Sequence, residues 1–297
     1  MWKITLRVLI TSALVIGIYV ALSWFVVEQS LVAKPKVLDK YPTEFGLRFE
    51  PVTFNPVDDA SVNLRGWWIP HEEPRAVIVW VHGLDGARDD RMELLSDLHS
   101  GGYSILTFDL RGHGESDKVS MGAGAHEQKD VLGAIQLIEA KTPDLPIALA
   151  GVSFGAAIII LVADEAESVR AVVADSSFAS IPELIEEEVS SRTPVPVWVA
   201  GLLKPGIILA AKWFKDADIT KVSPANGVGD LPFPIALIHC EDSIRVPFSH
   251  AERIWEQAPN GSHSLFVSGC DHAEGYEQNK EIYVGFVLDY LDSRMSR

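Results

Sequence analysis

The strongest constraint on the fold is an alternation between short, mostly apolar segments and longer segments with helical periodicity. Short apolar runs are typical of strands that helices cover on both faces. We therefore predict a single α/β domain with an eight-stranded, mostly parallel sheet, helices on both faces and an opening antiparallel pair of strands. The predicted strands cover residues 49–54, 62–69, 76–81, 103–108, 146–150, 169–174, 235–239 and 264–267, and the predicted helices cover 88–100, 126–141, 154–166, 248–257 and 278–291.

Composition excludes several functional classes. The 297 residues can form one large α/β domain, and no linker favours two. A net charge of -16 opposes a surface that binds nucleic acid. Only two cysteines are present, too few for a disulfide scaffold or a cysteine-rich zinc site.

The N-terminal segment has the features of a membrane anchor. Lys3 and Arg7 precede an uncharged apolar run over residues 8–27, which is long enough to cross a bilayer. A cleaved signal peptide is the alternative, although its apolar core is usually shorter, and only residues 31–33 resemble a cleavage site. We predict an anchor at 1–28, a connector at 29–43 and the main domain at 44–297. The positive charges place the N-terminus in the cytoplasm and the domain across the membrane.

A G-V-S-F-G motif at 151–155 lies between a predicted strand and a predicted helix, which is the context of a nucleophile elbow. Ser153 is therefore the candidate nucleophile, and it needs a base to remove its proton. His272 is the best candidate because it follows the last predicted strand, at the same edge of the sheet as the elbow.

Two backbone amides are expected to bind the oxyanion of a tetrahedral intermediate. One belongs to Phe154, the residue after the nucleophile, and the other to Leu84, which follows His82 and Gly83 at the end of the third strand. The charged, glycine-rich turn at 109–116 is interpreted as structural, because acyl transfer requires none of its residues.

The third member of a catalytic triad should be a carboxylate that follows a strand between serine and histidine. Asp242 is the main candidate, and Asp175 and Glu241 are alternatives, as is the absence of a working acid.

Residues 178–222 interrupt the alternation of strands and helices. The segment is helical in pattern, contains several prolines and is apolar over 195–214, with Lys204 near the middle. A lysine in the bilayer centre is costly, which argues against a second membrane crossing. We interpret the segment as a lid over the active site, with core packing and shallow membrane contact as alternatives.

Taken together, the H-G turn at 82–83, the turn at 109–116, the elbow, the Val246-Pro247 segment and the G-C-D-H sequence at 269–272 resemble the α/β-hydrolase superfamily. The resemblance covers about residues 44–292, and the anchor is similar to that of membrane-tethered esterases, thioesterases and prolyl-peptidase-like proteins. It implies the fold and a hydrolytic reaction. Relatives commonly place the acid four residues before the proline, where this chain has Ser243.

The leading functional hypothesis is hydrolysis of a carboxylic ester or thioester through an acyl-enzyme on Ser153, without a metal or organic cofactor. A non-catalytic binding module is the alternative from another class, and acyl transfer or peptide cleavage could use the same site. The substrate is expected to be a small or acyl-containing molecule whose identity the sequence does not specify.

The cysteines follow the last two predicted strands. If these strands are parallel neighbours, Cys240 and Cys270 are close enough for a disulfide that joins the acid loop to the histidine loop. Two buried free thiols that pack as small hydrophobes are the interpretation we prefer, and the disulfide is the alternative.

Overall fold

The computed structural model describes residues 2–295. Its centre is an eight-stranded sheet in the order β1-β2-β4-β3-β5-β6-β7-β8. β2 is antiparallel to both of its neighbours, and all pairs from β4 to β8 are parallel. The strands are β1 (Glu50–Phe54), β2 (Leu64–Ile69), β3 (Ala76–Val81), β4 (Tyr103–Phe108), β5 (Ile147–Val152), β6 (Val169–Asp175), β7 (Ala236–Cys240) and β8 (His263–Val267).

Helices cover both faces of this sheet. The helices are α1 (Trp2–Ser30), α2 (Met92–Ser100), α3 (Glu127–Lys141), α4 (Phe154–Val162), α5 (Ile181–Arg192), α6 (Val197–Lys215), α7 (Pro224–Gly227), α8 (Phe248–Gln257), α9 (Gly275–Gln278) and α10 (Lys280–Met295). Short 3₁₀ turns lie at Pro42–Phe45, Ile219–Lys221 and Val228–Asp230.

Strand β3 shows how the core is divided. Its side chains alternate between the two faces, so Val77 and Val79 pack with α3, α4 and α8, while Ile78 and Trp80 pack with α2 and α10. Every residue of β3, β4 and β5 is buried, as the continuous apolar runs predict. The eight predicted strands are confirmed.

Three predicted helices are wrong in extent. The helix expected at 154–166 ends at Val162 as α4. The helix expected from residue 88 begins at Met92, because Arg91 has a φ of 63°, which a right-handed helix does not accommodate. The helix expected at 278–291 is divided at Asn279, whose φ and ψ of -154° and 85° are extended, into α9 and α10.

Residues 178–222 form α5, α6 and one 3₁₀ turn. Together with the end of α1 they build a third apolar cluster, which includes Val27, Leu31, Val189 and Ile207. Helices α1 and α6 are both long and apolar enough to cross a membrane, by length and composition.

Candidate active site

Ser153 lies at the sharp turn between β5 and α4. Its φ of 54° and ψ of -112° are strained for a residue with a side chain, and its N–H donates to the Asp175 carbonyl at 2.7 Å. The turn is possible because Gly155 has no Cβ, since one added there would lie 2.2 Å from the Val81 carbonyl oxygen. The strained backbone presents the serine hydroxyl at the carboxyl edge of the sheet.

His272 reaches this hydroxyl from the loop after β8. Its Nε2 lies 2.8 Å from Ser153 Oγ, a hydrogen-bond distance at which the imidazole can accept the serine proton. Burial lowers the pKa of His272 to about 4, and the positive charge of Arg245 acts in the same direction. The imidazole is therefore neutral at pH 7, as a general base must be.

The structure does not bring Asp242 to the histidine. The Asp242 carboxylate accepts the Gly269 N–H at 2.7 Å, whereas the histidine Nδ1 lies 3.3 Å from Ser243 Oγ. A turn closed by the Ser243 N–H and the Cys240 carbonyl directs the two side chains to different partners. With Nε2 accepting from Ser153, Nδ1–H donates to Ser243 Oγ, a hydroxyl in place of a carboxylate.

The alternative acids are also engaged elsewhere. Asp175 is buried and accepts hydrogen bonds from Tyr283 Oη and Ser176 Oγ, both at 2.9 Å. Glu241 accepts the hydroxyl of Ser268. Across residues 2–295, no carboxylate oxygen accepts a hydrogen bond from the His272 imidazole.

The backbone amides of Leu84 and Phe154 are free for an oxyanion. Phe154 is the first residue of α4, so its N–H has no acceptor within the helix. Neither amide donates to another group in the part of the chain that the structure describes. Both residues border the same cavity as Ser153.

His82 positions the Leu84 amide, a role that the sequence did not indicate. Its Nε2 accepts the Leu110 N–H at 3.0 Å, so its Nδ1–H donates to the Gly83 carbonyl at 2.7 Å. The Gly86 N–H donates to the same oxygen at 3.0 Å. The Gly83 carbonyl and the Leu84 N–H belong to one planar trans peptide. The hydrogen bonds that hold the carbonyl therefore also fix the direction of the N–H.

The turn at 109–116 is held in place by hydrogen bonds and an ion pair of Asp109. Asp109 accepts hydrogen bonds from the Arg88 guanidinium at 2.5 Å and from the Glu115 N–H at 2.7 Å. Both Asp109 and Arg88 are buried, so the pair is a structural tie, in agreement with the interpretation of this turn.

Two cavities meet at Ser153. The first is mostly apolar. The second contains charged side chains from loops and from α2 and α9, and it borders His272 as well as Ser153. The apolar cavity is lined in part by Val27, Leu31, Ile185, Val189, Ile207, Ala211 and Ile219, and the polar one in part by Lys40, Asp90, Arg91, Glu93, Arg245 and Glu277.

The Ser243 loop and the His272 loop are covalently linked. β7 and β8 are parallel neighbours, and Cys240 and Cys270 form a disulfide with a Cα separation of 5.5 Å. The preferred expectation of two free thiols is therefore wrong, because the parallel pairing of β7 and β8 brings the two cysteines within disulfide distance.

Residues 72–221 match the family model Hydrolase_4, described as serine aminopeptidase, S33. The chain belongs to this family. Among the curated relatives of this Hydrolase_4 member is the uncharacterized protein YqkD of Bacillus subtilis, 25% identical over 78% of this chain and 76% of the relative. Another is the lysophosphatidylserine lipase ABHD12 of Danio rerio, 30% identical over 61% of this chain and 47% of the relative.

Solved structures show the same fold. The esterase Pf2001 of Pyrococcus furiosus superposes with a TM-score of 0.73 at 20% identity, over 89% of this chain and all of that one. The prediction of the α/β-hydrolase fold is confirmed, and the chain is a hydrolase of that type.

In this Hydrolase_4 member the hydroxyl of Ser153 lies beside a neutral imidazole and two free amide donors. Such a set can carry out acyl transfer by way of a covalent intermediate. The site differs from a complete triad because the Ser243 hydroxyl, and not a carboxylate, contacts His272 Nδ1.

Proposed function

We propose that this hydrolase cleaves a carboxylic ester or thioester through an acyl-enzyme on Ser153. The distance of 2.8 Å between Ser153 Oγ and His272 Nε2 carries the proposal. His272 removes the hydroxyl proton as Ser153 attacks the carbonyl carbon, and the oxyanion accepts hydrogen bonds from the Leu84 and Phe154 amides. The imidazolium then protonates the leaving alcohol or thiol. Water, deprotonated by His272, releases the carboxylic acid and restores Ser153.

Ser243 takes the position of the triad acid in this mechanism. Its hydroxyl accepts the Nδ1–H and so keeps the imidazole in the required tautomer, but it supplies no negative charge to stabilise the imidazolium. A weaker base favours substrates with good leaving groups. This supports an ester or thioester over a peptide, whose amine leaves only after it is protonated.

The two cavities support an amphiphilic substrate. An acyl chain can occupy the apolar cavity, and a polar leaving group can occupy the charged one. Arg91 pairs there with Glu277, and Arg245 pairs with Glu188 at 3.2 Å, so either guanidinium would bind an anionic group by exchanging that carboxylate. A lipase of lysophosphatidylserine, a lipid with one acyl chain and an anionic head group, is among the relatives. We infer that the substrate is a single-chain lipid ester or a chemically similar acyl ester.

Helix α1 is proposed to anchor the protein in a membrane, with the N-terminus in the cytoplasm and the hydrolase domain on the other side. The apolar run at 8–27 and the preceding Lys3 and Arg7 support this topology. The Cys240–Cys270 disulfide fits the same placement, because such bonds persist in oxidising compartments.

Labelling with a fluorophosphonate probe tests the proposed chemistry. The wild-type protein should be labelled and should release nitrophenol from nitrophenyl esters, and Ser153→Ala should lose both properties. Ser177→Ala is a matched control, because this buried serine hydroxyl donates to the Phe178 carbonyl. A folded wild-type protein that reacts with neither reagent would favour a non-catalytic binding module instead.

A further inference from the structure

Helix α6 packs closely against α1 at its middle. The Tyr19 hydroxyl accepts the Gly206 N–H at 3.0 Å and donates to the Leu202 carbonyl at 3.2 Å. A Cβ at Gly206 would lie 2.2 Å from Ser23 Oγ, so the two helices touch at this glycine. Lys215 pairs with Glu28 at 2.8 Å, each nine residues further along its helix than Gly206 and Tyr19. The helices therefore run side by side in the same direction.

This contact fixes the depth of α6 relative to the proposed anchor. Tyr19 and Ser23 lie inside the apolar run at 8–27, and only eleven residues of that run precede Tyr19. Since a transmembrane helix needs about 20 apolar residues, the run cannot span if it leaves the bilayer before Tyr19. The middle of α6 must therefore lie at membrane depth wherever α1 spans.

The outward face of α6 has the composition that this position requires. Trp198 and Trp213, near the two ends, are 70% and 72% exposed, and Leu202 and Leu209 between them are 67% and 46% exposed. These side chains and Pro205 lie four or fewer residues apart along one stripe. Tryptophan is enriched at the two boundaries between a bilayer and water, so an apolar stripe with a tryptophan near each end suits a helix that lies beside a membrane span.

The lysines of α6 have ionic partners within the protein. Lys204 pairs with Glu186 of α5 at 3.2 Å and Lys212 pairs with Asp218 at 2.8 Å. Lys204, the residue that argues against a second crossing, is therefore directed toward α5 instead of the apolar stripe. Neither of these lysines is left without an ionic partner where α6 meets lipid.

Pro205 lies inside α6, which continues through it, and backbone groups next to it have a polar partner on α1. A regular helix would pair the Gly206 N–H with the Leu202 carbonyl, and here the Tyr19 hydroxyl bridges these two groups. Polar backbone groups without partners are costly in hydrocarbon, where water cannot replace them. The Tyr19 hydroxyl that contacts both groups belongs to α1, the proposed anchor.

We propose that α6 is embedded in the bilayer beside α1, and that the acyl chain of the substrate passes from the lipid into the apolar cavity between them. This inference rests on the proposed membrane anchoring by α1. Val27 and Leu31, at the end of the anchor, and Ile207 and Ala211 of α6 line the cavity that leads to Ser153. The same two helices thus contact lipid on the outside and bound the cavity on the inside.

Site-directed fluorophores test the position of α6 in the full chain. Single cysteines at Leu202→Cys, Ile16→Cys and Ile282→Cys are labelled with an NBD dye and reconstituted in phosphatidylcholine vesicles, with or without doxyl-labelled lipid. Cys240 and Cys270 are joined and do not react. Doxyl lipid should quench the dye at positions 202 and 16, whereas the dye on exposed Ile282 of α10 should keep its emission.

Quenching at 16 without quenching at 202 overturns the inference and leaves the anchor in place. A dye at position 202 whose emission is blue-shifted but not quenched by doxyl lipid would show that protein, such as a second copy of the chain, covers α6. This outcome also contradicts the inference. Absence of quenching at both positions contradicts the anchoring as well. Fluorophosphonate labelling of each variant reports the active site separately, so failure of the proposed chemistry is distinguishable.

Entry from the lipid predicts a selective loss in a second experiment. Leu202→Glu combined with Trp213→Glu should lower hydrolysis of a long-chain ester held in vesicles but not of a soluble short-chain ester. Ile282→Glu is the matched control on another exposed apolar residue. Equal loss on both esters, or no loss on either, would argue against passage through this face.

Discussion

At the scale of single residues, the main question is how His272 can act as a base when no carboxylate contacts its Nδ1. Ser243 Oγ holds Nδ1 at 3.3 Å, and the positive charge of Arg245 acts on the imidazole from nearby. Burial and the charge of Arg245 disfavour the imidazolium that forms during acyl transfer, and the Ser243 hydroxyl supplies no negative charge to offset them. Residual rate enhancement of about 10³–10⁴ over water is known to persist in a triad that lacks one member, through the oxyanion hole and binding. A slow but functional esterase is therefore the physical expectation.

Ser243→Asp should restore the missing charge. A carboxylate at this position would accept the Nδ1–H and stabilise the imidazolium, so kcat on a nitrophenyl ester should rise by at least about tenfold, given that loss of a triad aspartate costs about 10⁴ elsewhere. Ser243→Ala should lower kcat, and Asp242→Asn should change it little, because Asp242 only accepts the Gly269 N–H. A large loss in Asp242→Asn together with no gain in Ser243→Asp would return the acid role to Asp242.

The pH dependence follows from the same histidine. His272 must be neutral to act as a base, and its pKa of about 4 means that kcat/KM should stay constant as pH falls from 7 to 5 and decline only near pH 4. Arg245→Leu removes a positive charge that lowers this pKa, so the decline should move to higher pH. A pH profile of kcat/KM for both proteins measures the shift. An acid limb near 6.5 in the wild-type protein would contradict the low pKa.

The residues of the site were predictable to different degrees. Ser153 and His272 could be placed because each follows a strand, and parallel strands bring such loops to one edge. The direction of Asp242 could not be predicted, because one residue of offset in the turn after β7 decides whether Asp242 or Ser243 meets the imidazole. The role of His82 depends on a contact with Gly83 that no sequence spacing reveals.

At the scale of elements, the disulfide joins the two loops that carry Ser243 and His272. Cys240 and Cys270 are the last residue of β7 and a residue of the loop after β8, separated by 30 positions in the chain. The bond limits how far the histidine can move from the elbow. It also closes a chain loop that would otherwise be free in the unfolded state.

Removal of this bond should cost both stability and activity. Cys240→Ala combined with Cys270→Ala should lower the free energy of unfolding by about 2–4 kcal/mol, as is typical of native disulfides. Urea unfolding in the appropriate detergent measures this, and kcat without denaturant shows whether His272 stays in place. Alkylation under denaturing, non-reducing conditions provides the control, since two alkyl additions to the wild-type protein would mean that the thiols are free.

Predicted strands agree with the structure to within two residues at either end, because a strand buried on both faces requires an unbroken apolar run. Helix ends were less predictable. The left-handed Arg91 and the extended Asn279 limit α2, α9 and α10, and neither residue type signals such a conformation. The apolar character of α6 was evident from the sequence, but its contact with α1 joins residues 187 positions apart and is a tertiary property.

At the scale of the whole molecule, α1 packs directly against the hydrolase domain. The end of α1 packs with α5 and α6 and lines the apolar cavity, so α1 contributes to the candidate site as well as to the proposed membrane anchoring. The fold class could be predicted from the order of strands and helices, whereas the contribution of α1 to the wall of the apolar cavity could not. It depends on where the chain returns after residue 178, which no local pattern specifies.

The final prediction concerns the dependence of activity on acyl chain length. Each methylene that leaves water for the apolar cavity contributes about 0.8 kcal/mol, so kcat/KM of the full chain should rise by about fourfold per methylene until the cavity is filled. A protein that lacks residues 1–31 loses Val27 and Leu31 from the cavity wall, and its rise with chain length should be smaller. A protein that lacks only residues 1–17 keeps that wall and serves as the matched control. Nitrophenyl esters from butyrate to laurate, assayed in the same detergent, give the two slopes. If Val27 and Leu31 contact the acyl chain, their removal must reduce the contribution of each methylene. Equal slopes for the two truncated proteins would therefore show that the end of α1 does not bind the acyl chain.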